Sequence, residues 1–202
     1  MTLNFIIRSK LNSDYSKNSM SNLKIDFQGC VEFLRNSGCS EKVVAHCAAV
    51  SKNAAKIAGK FSRTGIEVDV EFVKIAALLH DIGRSKTHGI SHGIEGAKII
   101  RENYSMFGSE DAAERIARVC ERHIGAGLTC EEAQKAGLPP GVYTPETIEE
   151  KIIAHADNIT SGEQTVDIGF VVNKFKARLG EHHPAVLRVI ELADYVEGLE
   201  RN

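Results

Sequence analysis

Apolar positions recur three and four residues apart along most of this chain, the spacing that lines one face of an α-helix. LKIDFQGCVEFLRNSG (23–38) follows that spacing and meets a glycine stop. Ser40 then caps EKVVAHCAAVSKNAAKIAGKF, with Glu41 in the first turn, where the helix dipole favours an acid. Its apolar stripe is Val43, Cys47, Val50, Ala54, Ile57 and Phe61. Asp69 starts VEFVKIAALLHD, apolar nearly all round, which predicts a central buried helix that stops at Gly83. Ser91 starts HGIEGAKIIREN, Ser109 starts EDAAERIARVCERH, and Thr144-Pro145 open a further helix with proline in its favoured first position. Helical stretches near 167–179 and 184–200 close the chain. No segment alternates strictly over strand length, and no internal repeat is present. The expected fold is all-α, a single-domain helical bundle.

Composition narrows this picture. A chain of 202 residues makes one generous domain, or one domain with a tail. Residues 9–22 are polar, rich in serine and asparagine and without periodicity, so 1–22 are expected to be a flexible leader and 23–202 the helical domain. Met20, at the end of that leader, is an alternative start of translation to Met1. A net charge of −2 provides no basic field for a DNA duplex, although it leaves a single nucleotide open as a partner. No apolar run approaches the length of a membrane span, and the opening apolar patch is too brief for a signal peptide. The five cysteines include no C-x-x-C pair, which points to reduced thiols and a cytoplasmic location. Cys120 and His123 form a lone C-x-x-H with no second pair to complete a zinc site.

Four of the eight histidines fall on apolar faces or at helix ends. His46 shares a face with Val43, Val50 and Ile57. His80 follows Val73, Ala76 and Ala77. His92 opens a helix with Gly96 and Ile99, and His123 closes one with Ile116 and Val119. A single inward histidine is an ordinary core residue, but each buried imidazole needs a partner for its ring nitrogens, and four on separate helices suggest a shared one. Asp81 adds to this, because a carboxylate at a helix C-terminus opposes the helix dipole unless a cation answers it. Two answers stand: Arg84 or Lys86, or a metal held together with His80. Asp157, in IIAHADNIT, sits at the margin of an apolar arc, at a pocket lip or on the solvated surface.

The order His46, His80-Asp81-Ile82-Gly83, Asp157 resembles the HD-domain metal-dependent phosphohydrolase superfamily in its HDIG-containing branch. The resemblance covers about residues 40–160 and leaves the C-terminal helices (about 165–200) and the leader outside. It implies a helical bundle in which His46, His80, Asp81 and Asp157 bind a divalent metal, with His80 and Asp81 at the catalytic centre. His92 and His123 fall where some branches place ligands of a second metal, with Asp81 as bridge. The chain lacks the GYP motif of the cyclic-dinucleotide phosphodiesterases; after His123 it reads IGAGLTCEEAQKAGLPPG.

The implied chemistry is hydrolysis of a nucleotide or related phosphate ester or anhydride by a metal-activated water. One or two ions of Mn, Fe, Co, Zn, Ni or Mg suit such a donor set. Arg84 and Lys86 are candidates for holding substrate phosphate, with solvated loop charge as the alternative. The linker 124–145 is either a pocket-shaping loop or a plain connector. His88, His155 and His182-His183 read as loop or structural residues. A non-catalytic metal- or nucleotide-binding sensor on the same fold is the competing function. The C-terminal helices pack either on the bundle or on a second copy, in a homodimer.

Overall fold

Among the described residues seven helices begin on a side chain that accepts from one of their own free amide groups, so their starts are written locally. In the computed structural model, which describes residues 23–201, Asp26 caps α1 (Phe27–Asn36), Ser40 caps α2 (Glu41–Arg63) and Asp69 caps α3 (Val70–Leu79). Ser109 caps α5 (Glu110–Arg122). Thr129 and Thr147 form capping boxes with Glu132 and Glu150 at α6 (Cys130–Lys135) and α7 (Ile148–Asn158). Asp167 caps α8 (Ile168–Leu179), and α9 (Pro184–Arg201) ends the described chain. The helix α4 (His92–Glu102) follows Ser91, whose side chain makes no cap bond. The flexible leader expected at 1–22, with the question of Met1 or Met20, lies outside the described residues.

The protein is all-α, as its periodicity predicts. Its central post is α3, which packs against α1, α2, α5 and α7. Seven of its ten residues are buried, which is why its sequence is apolar nearly all round. Ile75, Leu78 and Leu79 are fully buried, each worth about 1.5–3 kcal/mol of transfer free energy. The α9 helix packs on α8, α7 and α2 of its own chain. No helix among the described residues is long and apolar enough to cross a membrane.

The structure corrects one helix start and adds two short features that periodicity does not show. The helix expected to open at Thr144-Pro145 starts at Thr147, because the Thr147–Glu150 capping box supplies a stronger start than proline alone. The linker 124–145 contains α6 and a bridge in which Leu128 and Tyr143 exchange backbone hydrogen bonds. After Asp157 the chain makes a small antiparallel hairpin, β1 (Thr160–Ser161) and β2 (Gln164–Thr165), too short for alternation to reveal.

Gly83 has a different use from the stop predicted for it. The helix ends at Leu79, and Gly83 lies inside a 3₁₀ turn, Ile82–Ser85, without a positive φ. A methyl group on Gly83 would run into the carbonyl of His92 and the amide of Gly96. Gly93 likewise faces the Cys120 carbonyl, 2.6 Å from where a Cβ would sit, and Gly96 faces the Cys120 side chain. These three glycines let the turn after α3, the start of α4 and the end of α5 meet backbone to backbone. That contact brings His80, His92 and His123 to one place.

A second tie joins α5 to α7. Glu150 is buried and receives Arg118 Nε at 3.0 Å, Arg122 Nη1 at 3.2 Å and the Glu146 amide at 2.7 Å. Removing the carboxylate leaves Arg118 and Arg122 with only the exposed Glu146, at 2.7 and 2.8 Å, and strands the Glu146 amide, so Glu150→Ala is expected to cost about 2 kcal/mol in denaturant unfolding. Gly83→Ala is expected to cost more than about 2 kcal/mol by overpacking backbone that cannot yield. A loss below 1 kcal/mol in either variant would contradict the role given to that contact.

Candidate metal centre

Each candidate imidazole is oriented through its Nδ1. His80 Nδ1 donates to the Ala77 carbonyl at 2.6 Å, His92 Nδ1 to Gly89 at 2.7 Å and His123 Nδ1 to Cys120 at 2.8 Å. His46 Nδ1 donates to the Gly162 carbonyl at 2.9 Å. A carbonyl accepts only from N–H, so all four rings carry hydrogen on Nδ1, and Nε2 is the atom each would offer to a metal. The four Nε2 atoms point at one region, together with the carboxylates of Asp81 and Asp157.

Two overlapping groups result. His46 Nε2 and His80 Nε2 lie 3.0 and 3.4 Å from Asp157 Oδ1. His92 Nε2 and His123 Nε2 lie 3.1 and 3.5 Å from Asp81 Oδ1, and His80 Nε2 lies 3.9 Å from Asp81 Oδ2. Within the described residues the ligand atoms of His46, His80 and Asp157, and those of His80, Asp81 and His123, lie close enough to share an ion. His92 Nε2 and His123 Nε2 face each other at 3.1 Å. Two lone pairs at that distance repel, and the adjacent carboxylate oxygen adds a third acceptor. His80 Nε2 is fully buried with no hydrogen-bond partner. A proton or a metal ion relieves this arrangement, and neutral imidazole with carboxylate is a donor set that divalent transition ions accept. The residues therefore fit a divalent metal.

The electrostatics agree. Burial alone would raise the Asp81 carboxyl, but His80, His123 and His92 outweigh it and hold the group far below the usual carboxylate range. Burial likewise opposes ionisation of Asp157, and His46 and His80 hold it low. Burial pushes His80 down, yet Asp81 prevails and leaves it well above the ordinary imidazole value. Burial and the neighbouring His80 push His123 down. The metal-free site thus keeps a proton on His80 and a neutral ring at His123.

Arg84 answers Asp81 as well: its Nε lies 3.1 Å from both carboxylate oxygens, and its Nη1 donates to the His88 carbonyl at 3.0 Å. Of the cations considered for Asp81, the structure shows Arg84 in place. Lys86 is exposed in the same turn. His88 is exposed and His155 is buried in α7 outside the two ligand groups. His183 accepts the Ala185 amide at the start of α9. All five cysteines are free. Cys120 turns its thiol to the Leu79 carbonyl and Cys39 to the Ile82 carbonyl, behind the His80-Asp81 turn. Burial pushes the Cys39 thiol up to about 12, so it is a structural donor and no nucleophile.

Sequence reasoning missed the backbone acceptors, the hairpin and the glycine contacts. The Gly93-x-x-Gly96 spacing was the available signal for the last of these, and the Ser161-Gly162 turn between threonines for the hairpin.

The family model of the HD domain matches residues 43–162, a span that holds all six candidate ligands. The chain belongs to the HD-domain family. It is 50% identical over 175 residues to an uncharacterized protein of Methanocaldococcus jannaschii, covering 87% of this chain and 99% of that one. It is 39% identical over 178 residues to a tRNA (cytidine(56)-2'-O)-methyltransferase of Thermoplasma volcanium, covering 87% of this chain and 49% of the relative. A Picrophilus torridus protein of the same name is 38% identical, with 86% and 47% covered. This HD-domain chain therefore spans about half the length of those two methyltransferases. The HD domain of an L. monocytogenes phosphodiesterase aligns over 84% of this chain and 98% of its own, with a TM-score of 0.45 and 17% identity.

The raised His80 sets the pH behaviour. In the metal-free protein the His80–Asp81 contact stabilises the fold fully only where both groups are charged. It fades as pH falls through the carboxyl and as pH rises through His80, so stability is expected to peak between about pH 4 and 6.5. A metal needs the Nε2 that this proton occupies. Mn²⁺ affinity is expected to rise with pH, with proton release at pH 7 visible as a buffer-dependent heat in calorimetry. Binding without proton release would remove His80 from the ligand set.

Proposed function

We propose that this HD-domain protein is a metal-dependent phosphohydrolase that cleaves a phosphate ester or anhydride of a nucleotide or related compound. The observation that carries this reading is the convergence of four histidine Nε2 atoms on two carboxylates, with His80 Nε2 fully buried and without a hydrogen-bond partner. His46, His80 and Asp157 would hold one divalent ion, and His92, His123 and Asp81 a second, with His80 and Asp81 between them. Bound there, such ions supply a water of lowered pKa and neutralise charge on a phosphoryl group. Mn, Fe, Co, Zn, Ni and Mg are the candidate ions.

The chain's own residues do the orienting. Four Nδ1–carbonyl bonds fix the imidazole planes, and Arg84 grips both oxygens of Asp81. That engagement assigns Arg84 first to positioning Asp81 and leaves exposed Lys86 as the nearer candidate for substrate phosphate. The ligand edge that opens outward is His46 and Asp157, whose side chains are 19% and 21% exposed, against 8% or less for the other four. Substrate therefore approaches from that side. The two tRNA methyltransferase relatives support including RNA phosphate esters beside free nucleotides.

A panel of nucleoside phosphates, dinucleoside polyphosphates and terminally phosphorylated RNA, assayed with each metal, tests the reading. Phosphate release is expected from the wild type and not from Asp81→Asn or His80→Ala. Elemental analysis is expected to give two ions per chain, falling to one in His92→Ala or His123→Ala. No turnover with any metal, while nucleotide still binds, would instead establish a non-catalytic sensor.

A further inference from the structure

Three of the four oriented histidines carry their orientation with them. His80, His92 and His123 each donate Nδ1–H to the carbonyl three residues earlier, at Ala77, Gly89 and Cys120. This works because each sits at a helix end or start, beside carbonyls that local backbone can offer. His46 has no such neighbour. It lies inside α2, where the carbonyls behind it belong to the helix ladder, and its Nδ1 reaches Gly162, 116 positions away in the chain.

Gly162 is at the tip of the β1–β2 hairpin, with φ +61°, a conformation that suits glycine. A hairpin of two residues per strand does not hold itself in water. Asn53 holds this one. It lies two helical turns beyond His46 on the same face of α2, and its Nδ2 donates to Thr160 Oγ1 at 2.9 Å and to Thr165 Oγ1 at 3.1 Å. One amide thus bridges both strands. Thr165 Oγ1 donates back to Asn53 Oδ1 at 3.3 Å, and Thr160 Oγ1 donates to the Ala156 carbonyl at 2.7 Å. The segment 157–162 consequently faces both nitrogens of His46, with Asp157 at Nε2 and the Gly162 carbonyl at Nδ1.

We propose that the 160–165 hairpin is the orienting clamp of His46 and that Asn53 is its positioning residue. Asn53 fixes the hairpin, the Gly162 carbonyl holds hydrogen on Nδ1 and sets the plane of the His46 ring, and Nε2 is thereby turned toward Asp157 and His80. The consequence for metal binding rests on the metal-centre reading above; the Nδ1 hydrogen bond to Gly162 does not.

Two measurements on the full-length protein separate these. Long-range ¹H–¹⁵N spectra of the metal-free, ¹⁵N-histidine-labelled protein are expected to show hydrogen on His46 Nδ1, giving way in Asn53→Ala to the Nε2–H tautomer that the Asp157 carboxylate favours. Calorimetric titration with Mn²⁺ is expected to show about a tenfold loss of affinity or more in Asn53→Ala, the scale of lost outer-shell support. Thr165→Val is expected to move both readouts in the same direction by less, and Thr165→Ser to restore wild-type values. Should Asn53→Ala fail to fold, the Thr165 pair decides. A merely structural Asn53 would lower the melting temperature and leave tautomer and affinity unchanged, which would overturn the proposal. If the wild type binds no Mn²⁺, the metal-centre reading fails and the tautomer measurement alone judges the clamp.

Discussion

Bare imidazole nitrogens pointing at one another and at carboxylates are costly inside a protein, and the organisation of this chain follows from holding them there. Four backbone carbonyls accept from the Nδ1–H groups and leave the Nε2 atoms facing inward. His92 and His123 then face each other at 3.1 Å, and His80 keeps a buried Nε2 with no partner. Such an array is stable only with positive charge among its members. In the metal-free protein a proton on His80 and the fork of Arg84 on Asp81 provide it.

The packing makes that array possible. An all-round apolar α3 sits at the centre and delivers His80 and Asp81 at its end. Glycines at 83, 93 and 96 remove the side chains that would keep the adjoining backbones apart. Thiols of Cys39 and Cys120 bond the carbonyls of Ile82 and Leu79 behind the same turn, where charged donors would not be tolerated. The buried Glu150 with Arg118 and Arg122 joins the helix that ends at His123 to the helix that carries Asp157. Each of these ties constrains the spacing between ligands on different helices. A site assembled from five separate stretches of chain needs such ties, because an error of an ångström at any one of them changes what the donors can hold.

How far the sequence could be read depended on the range of the interaction involved. The caps at Ser40, Asp69 and Ser109 act within three residues, so the starts of α2, α3 and α5 were legible. Pro145 misled for the same reason: a local helix signal was outweighed by the Thr147–Glu150 capping box two residues later. Gly83 was read as a stop, the usual local meaning of a glycine after a helix, whereas its reason lies in His92 and Gly96 across the packing interface. Asp157 was ambiguous because helical angle alone does not say what a residue at the edge of an apolar arc will meet; it meets His46 and His80.

By itself the sequence determined the all-α class, the placement of most helices, six candidate metal ligands, and the membership that the HD-domain match established over residues 43–162. These follow from periodicity, capping and residue chemistry, which are short-range properties of the chain. Tertiary structure alone decided which oxygen each imidazole nitrogen faces, that Arg84 reaches Asp81 with both oxygens in range, and that His46 takes its orientation from a hairpin 116 positions away. Those are distances between segments that only packing brings together, and no spacing along the chain encodes them.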